Sequence, residues 1–205
     1  MLERFRTGAA RLLTPIALFL NRRGVSPDAV TAIGTLAVML AALVCYPVGW
    51  LWQGTVVITF FVLADMIDGL MAKLSGTASD WGAFLDSSLD RLGDGAVFGG
   101  LLLYFAYEQQ EPVWAGMSLA ALVFGQLTSY VRARAESLGF EAHGGLAARA
   151  DRLLIVLAGA LLAGLGVPYV LEIAMTFLAV AGLVTVVQRS RAVYRQPKAP
   201  DTETA

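Results

Sequence analysis

Residues 65–90 read DMIDGLMAKLSGTASDWGAFLDSSLD, and this stretch decides the fold. Asp65, Asp68, Asp86 and Asp90 fall inside segments that are otherwise apolar enough to read as lipid-soluble helix. Carboxylates are costly in such a place, so each has to face a polar interior and find a counter-charge. Asp65 and Asp68 are three residues apart, and Gly82, Asp86, Asp90 and Asp94 recur every four, so each set runs along one side of its helix. With the segment Leu74 to Trp81 as a short loop between antiparallel neighbours, the carboxylates converge beside that loop. Hard oxygen donors from two helices suit Mg²⁺ or Mn²⁺, and a divalent cation relieves their mutual repulsion.

The rest of the chain supports a membrane setting. Its 205 residues are 57% hydrophobic and 15% charged, with a mean hydropathy of +0.66. That excludes an ordinary soluble domain and leaves room for several spans. The fold class expected is an all-α integral membrane protein: a bundle of about six transmembrane helices, each near the roughly 20 residues a bilayer requires. The net charge of -1 matters less than its distribution. Lys and Arg cluster at Arg4 to Arg23, at Lys73 and Arg91, at Arg132 to Arg152 and at Arg189 to Lys198. The connections near Pro47, Glu108 to Pro112 and Gly166 to Pro168 hold none. By the positive-inside rule, both termini and the loops after the second and fourth spans face the cytoplasm. A near-neutral chain of this kind implies membrane lipids as neighbours and no nucleic-acid partner. Cys45 stands alone, which excludes an internal disulfide.

Taken in order, residues 1–24 read as an interfacial amphipathic helix and linker. Leu2, Phe5, Leu12, Leu13, Ile16 and Leu20 oppose Arg4, Arg6 and Arg11, and Asn21 to Gly24 lacks the small-residue cleavage site of a signal peptide. Ser26-Pro27-Asp28 has the form of a helix start and opens the first span, to about Tyr46. Asp28 reads equally as a capping acid and as a ligand, with Thr31 one turn on. Further spans are expected at about Trp50 to Lys73, Asp80 to Tyr107, Pro112 to Glu136, Asp151 to Gly166 and Pro168 to Arg189. The polar tail, 195–205, lacks periodicity and reads as disordered. No repeat or second domain interrupts 1–205. Asp94, one turn beyond the motif, is expected to pair with a neighbouring cation rather than a metal. His143, in a Gly-rich loop without a second histidine, reads as a solvated loop residue. Arg132 and Arg152, close to Ser129, offer guanidinium forks and a hydroxyl to a dianionic phosphate. Arg134, Arg191, Arg195 and Lys198 read as positive-inside charge.

The ordered residues Asp65, Asp68, Gly69, Ala72 and Lys73, then Gly82, Asp86 and Asp90, resemble the signature of the CDP-alcohol phosphotransferase family, with lysine at position 73 where that signature has arginine. The resemblance implies a CDP-linked lipid donor, attack by an alcohol on the lipid-side phosphorus, and release of CMP. It makes Asp65, Asp68 and Asp86 the principal ligands of a metal centre of two ions, Mg²⁺ or Mn²⁺. Asp90 would be the general base and a further ligand. Gly69, Ala72 and Gly82 would leave room for the nucleotide, with Thr31 and Lys73 on the pyrophosphate and Asp28, in its ligand reading, beside them. The match widens to Gly82 to Asp86, Asp90-Arg91, Asp94 to Phe98, Tyr130 to Glu136 and Asp151 to Ile155. In this it is similar to the bacterial branch of the family that joins CDP-diacylglycerol to inositol 1-phosphate. That branch implies an acceptor-phosphate site of Ser129, Arg132, Arg152 and Arg189, a homodimer, and residence in the bacterial inner membrane.

Other readings compete. Glycerol 3-phosphate is an acceptor with the same phosphate chemistry. An intramembrane prenyltransferase also uses aspartate-rich motifs, but the Gly82, Asp86, Asp90 half fits it poorly. An ion transporter could use intramembrane carboxylates as a permeation site, and would need them open to both membrane faces.

Overall fold

The protein, seen in a computed structural model, is described over residues 13–77, 79–142, 144–146 and 149–196. The expectations for residues 1–12, for His143 and for the tail beyond 196 lie outside these. Every regular element among the described residues is helical. Helix α1 covers 13–22. It is followed by α2 (Pro27–Cys45), α3 (Leu51–Ala64), α4 (Met66–Ser75), α5 (Asp80–Leu103), α6 (Pro112–Ser137), α7 (Arg149–Gly164) and α8 (Val170–Arg195).

Local chemistry sets most of the boundaries. Ser26 caps α2, its hydroxyl accepting from the Ala29 amide at 3.2 Å, with Pro27 in the first turn. Ser79 caps α5 in the same way, accepting from the Gly82 amide at 3.1 Å. Gly76 closes α4 with a left-handed φ of 68°. The expected single span from Trp50 to Lys73 is two helices, broken at Asp65, whose φ of -57° and ψ of -24° tighten the turn. The physical reason is docking: α4 turns its Ile67 and Met71 onto Ala17 of α1 in a small second core. Asn21 of α1 also donates to the Met71 carbonyl at 3.2 Å. Helix α8 runs beyond the expected end near Arg189 to Arg195. Gln196 is tied to Glu141, accepting from its amide at 2.9 Å and donating to its carbonyl at 2.5 Å.

The packing closes a ring. In space the order is α2, α5, α6, α8, α7, α3 and back to α2, with α4 lying against α2. The interior is apolar in its main body, where Tyr46, Ile58, Val97, Leu101, Phe105, Val156, Leu171, Met175 and Leu178 are buried. A buried polar contact, 2.9 Å between the Tyr46 and Thr55 hydroxyls, satisfies both groups. The outside is equally apolar: Ile33, Leu36, Leu40 and Val44 of α2, Phe60 of α3, Leu92 of α5, Val123 of α6, Leu154 of α7 and Ile173 of α8 all point outward. An exterior of this kind suits lipid, not water. Residues 27–48, 51–75 and 170–195 are long and apolar enough to cross a membrane by length and composition alone. Helix α5 carries Asp90, Arg91 and Asp94 inside the ring, and α7 has 16 residues. Trp50, Trp52, Tyr107 and Tyr169 are exposed at the end of the ring remote from the aspartates, as an interfacial belt requires.

Small residues let the helices approach. A Cβ on Gly100 would run into the Ala42 carbonyl of α2, and one on Gly182 would lie 2.9 Å from the Phe124 Cβ of α6. Gly99, its chain neighbour, has nothing within 4 Å of such a Cβ. Gly100→Ala is therefore expected to destabilise the fold by about 1–3 kcal/mol, the usual range for overpacking. Gly99→Ala should be close to neutral. Thermal unfolding of the two variants in detergent, followed by monodispersity on gel filtration, checks this; equal midpoints would refute the tight α2–α5 seam.

Candidate active site

The end of the ring formed by the start of α2, the junction of α3 and α4, the start of α5, the end of α6, the start of α7 and the end of α8 gathers most of the charged side chains. Asp65 stands at the α3–α4 break, Asp68 in the first turn of α4, and Asp86 in the second turn of α5. Each presents one carboxylate oxygen within 4.8 Å of the others. Three carboxylates at that spacing, with no salt bridge to any of them among the described residues, form a hard-oxygen site that fits a divalent cation. Asp68 is buried and accepts a short hydrogen bond on Oδ2 from the Thr31 hydroxyl of α2, which orients its carboxylate. Asp86 is exposed and leaves the site open on one side.

Asp90 does not join the three. Its Oδ2 lies 2.7 Å from Nη1 of Arg149, at the start of α7, and 4.0 Å from Nη2 of Arg91. The second arm of Arg149, Nη2, is 3.3 Å from Asp94 Oδ1. Asp94 Oδ2 is 3.8 Å from Nη2 of Arg152 and 3.8 Å from Nη1 of Arg91. Asp94 is thus paired with cations, as expected one turn beyond the motif. A cavity of about 50 Å³ sits among Asp65, Asp90, Asp94 and Arg149, enough for water.

Among the nucleotide candidates, Asp28 lies against Gly82, where a Cβ would be 3.7 Å from Asp28 Oδ1. Gly69 has open space beside it, and Lys73 is exposed at the end of α4. Thr31 is on Asp68 rather than free. The phosphate candidates are only partly brought together. Arg152 is 5% exposed and donates through Nη1 to the Thr128 hydroxyl at 3.1 Å. Arg189 donates to the carbonyl of the same Thr128 at 2.6 Å and to the Gly144 carbonyl at 3.0 Å. Ser129, the next residue, takes a 2.5 Å bond from Arg91, whose carbonyl accepts from Gln126. Arg132 points away, its Nε 2.8 Å from Glu136 on the exposed side of α6. Nη2 of Arg152 is buried with no hydrogen-bond partner, an unsatisfied donor that an anion would complete. Arg149 and Arg91 are the residues the motif reading misses; the signal that would have found Arg149 is its i,i+3 spacing to Arg152 on the first turns of α7.

Residues 24–187 match the CDP-alcohol phosphatidyltransferase family. The chain belongs to this family. It is 51% identical over 203 residues to a phosphatidylinositol phosphate synthase of Cutibacterium acnes, covering 95% of this chain and 98% of that one. The corresponding Streptomyces avermitilis protein is 47% identical, covering 100% and 87%. The Mycobacterium tuberculosis phosphatidylinositol phosphate synthase, solved with CDP-DAG bound, superposes with a TM-score of 0.89 at 42% identity, over 95% of this chain and all of that one (100%). The same protein with manganese and citrate gives a TM-score of 0.88 over 94% and 93%. Family membership makes this chain a membrane-embedded transferase, and the carboxylate triad is where its divalent cation fits.

The hydroxyl of Thr31 orients a carboxylate that the triad uses. Thr31→Val should leave the fold intact and weaken Mn²⁺ binding about 10- to 100-fold, the usual loss when the partner of a metal-holding side chain is removed. Titration of the purified protein with Mn²⁺ by electron paramagnetic resonance measures it, and an unchanged affinity would show that Thr31 serves something else.

Proposed function

We propose that the chain transfers the phosphatidyl group of CDP-diacylglycerol to inositol 1-phosphate, releasing CMP and forming phosphatidylinositol phosphate. The observation that carries this reading is the convergence of Asp65, Asp68 and Asp86 at the same end of the ring as the buried, incompletely bonded guanidinium of Arg152. The 51% identity to a phosphatidylinositol phosphate synthase supports the choice of acceptor.

In this reading Asp65, Asp68 and Asp86 hold the divalent cations, two Mg²⁺ or Mn²⁺ ions, with Asp90 able to add a further oxygen. Bound there, such ions neutralise charge on the pyrophosphate oxygens and on the departing phosphate of CMP. Gly69, Ala72 and Gly82 give the cytidine close approach to the backbone of α4 and α5, with Asp28 beside Gly82, Thr31 on Asp68, and Lys73 reaching the pyrophosphate from the end of α4. Arg152 and Arg189, joined through Thr128, receive the acceptor phosphate with Ser129, and Arg132 reaches it by leaving Glu136. Two guanidinium forks match a dianionic phosphate better than two ammonium groups would. The acceptor hydroxyl then lies towards Asp90. Its oxygen bonds to the lipid-side phosphorus as the bond from that phosphorus to the CMP oxygen breaks, and its proton passes to the Asp90 carboxylate. Placing an inline attack in a fixed site is worth several orders of magnitude without further chemistry.

The basic end of the ring belongs in the cytoplasm of a bacterial inner membrane, where a water-soluble sugar phosphate and a lipid donor both reach it. A homodimer is the expected assembly.

Purified protein supplied with CDP-diacylglycerol, Mg²⁺ or Mn²⁺ and either acceptor tests the reading by CMP release. Inositol 1-phosphate should be used; turnover with glycerol 3-phosphate alone would replace it by phosphatidylglycerol phosphate synthesis. Asp86→Ala should lower kcat by at least about 100-fold, given the several kcal/mol that metal-ion charge stabilisation supplies.

A further inference from the structure

Thr128 and Ser129, adjacent residues near the end of α6, are the meeting point of three arginines from three other helices. Arg152 of α7 donates through Nη1 to the Thr128 hydroxyl at 3.1 Å, Arg189 of α8 donates through Nη1 to the Thr128 carbonyl at 2.6 Å, and Arg91 of α5 donates to the Ser129 hydroxyl at 2.5 Å. Guanidinium groups repel one another, so gathering them at one end of an apolar ring needs acceptors placed between them. Thr128 supplies two of these three acceptors and is itself 1% exposed. Its hydroxyl proton is committed to the Gly125 carbonyl at 2.8 Å, so the oxygen serves Arg152 as an acceptor only. Gly125 completes the seat. A Cβ placed on it would stand 3.4 Å from Arg152 Nε, against the guanidinium.

We propose that Thr128 is a positioning residue for the acceptor phosphate: its hydroxyl and carbonyl hold Arg152 and Arg189 together before any anion arrives, with one Nη of each left over to bind it. The inference rests on reading these two arginines as the acceptor-phosphate site. Nη2 of Arg152 is buried without a hydrogen-bond partner, 3.8 Å from Asp94, and Nη2 of Arg189 makes no hydrogen bond among the described residues. A phosphate that takes those two nitrogens leaves both bonds to Thr128 intact. The cost of ordering two long side chains is then met in the folded protein and not on binding, which raises affinity for the acceptor and leaves the lipid donor unaffected. Thr128 acts through the arginines and not on the substrate. Serine at this position keeps both acceptors, whereas valine or cysteine keeps the carbonyl and loses the hydroxyl oxygen on which Arg152 rests.

Thr128→Ser, Thr128→Cys and Thr128→Val test this in the full-length protein, purified in detergent. One readout needs no turnover: inorganic phosphate is titrated against the thermal unfolding midpoint, and the shift gives its dissociation constant. Thr128→Ser should bind phosphate within about twofold of wild type, and Thr128→Cys and Thr128→Val about tenfold more weakly, the loss expected when one hydrogen bond to a charged group is removed. In the transfer assay, the cysteine and valine variants should raise the KM for inositol 1-phosphate by the same factor, while kcat and the KM for CDP-diacylglycerol stay near those of wild type. Serine and cysteine have the same shape, so a threonine that merely filled space would leave those two variants alike. A general loosening of the fold would lower kcat and raise both KM values. The proposal is overturned if Thr128→Cys binds phosphate as tightly as Thr128→Ser, or if phosphate does not stabilise the wild type. Should Thr128→Val fail to fold, the serine and cysteine pair decides the matter alone. If the wild type transfers to neither inositol 1-phosphate nor glycerol 3-phosphate while phosphate binding still follows the expected order, the functional reading fails and Thr128 still positions an anion site.

Discussion

The constraint that organises this molecule is the desolvation of carboxylates within an apolar ring. Asp65, Asp68, Asp86, Asp90 and Asp94 stand on helices whose outer faces are given to lipid, and an ionised group in such a place needs a partner. The protein supplies partners unevenly along one stripe of α5. Asp94, deepest in the ring, meets Arg91, Arg149 and Arg152. Asp90, one turn nearer the end, shares Arg149. Asp86, the outermost, has no salt bridge among the described residues and turns to Asp65 and Asp68 instead. The stripe therefore grades from charge neutralised by the protein to charge left for an external cation. A fold that neutralised all five with arginine would have no metal site. One that neutralised none would leave buried repulsion several kcal/mol in cost.

The ring serves this grading by holding the helix ends still. Gly100 and Gly182 bring α2 onto α5 and α6 onto α8 at backbone contact, and an interior of Leu, Val, Phe and Met fixes the remote half of the bundle. The break at Asp65 belongs to the same design: in a continuous helix, α4 would project along the line of α3. The tightened turn lets it lie against α1 and α2, where Thr31 can reach Asp68.

Much of this was legible in the sequence, and the reason is periodicity. The fourfold recurrence of Gly82, Asp86, Asp90 and Asp94, and the apolar lengths between turn residues, predict the helices and the face each aspartate occupies; the structure gives those helices. Periodicity carries no information about which neighbour crosses the ring. Hence Thr31 faced Asp68 unforeseen, and Asp90 met Arg149, a residue 59 positions on that no local pattern ties to it. Ser129 and Arg132 do share a helix face, but a shared face does not make a shared site. The Ser129 hydroxyl is taken from across the seam by Arg91, and Arg132 follows the ordinary i,i+4 preference to Glu136. The break at Asp65 is hidden for the same reason, since Leu51 to Ser75 contains no proline and its hydrophobicity runs through the junction.

The choice of cation at each position follows from what it must span. Arg149 contacts two carboxylates on the same face of α5 through separate nitrogens of one plane, a task that needs a rigid fork; a lysine ammonium can approach either but cannot hold both in a fixed geometry. Arg152 and Arg189 meet on the two acceptors of a single residue, the hydroxyl and the carbonyl of Thr128, which again calls for directed N–H groups. Lys73 is differently placed, exposed at the end of α4 with a flexible stem. An exposed position tolerates a point charge, because nothing there is desolvated and no second acceptor has to be held. Lysine therefore stands at an exposed motif position, and arginine at Arg149, Arg152 and Arg189, where the ring itself provides the acceptors.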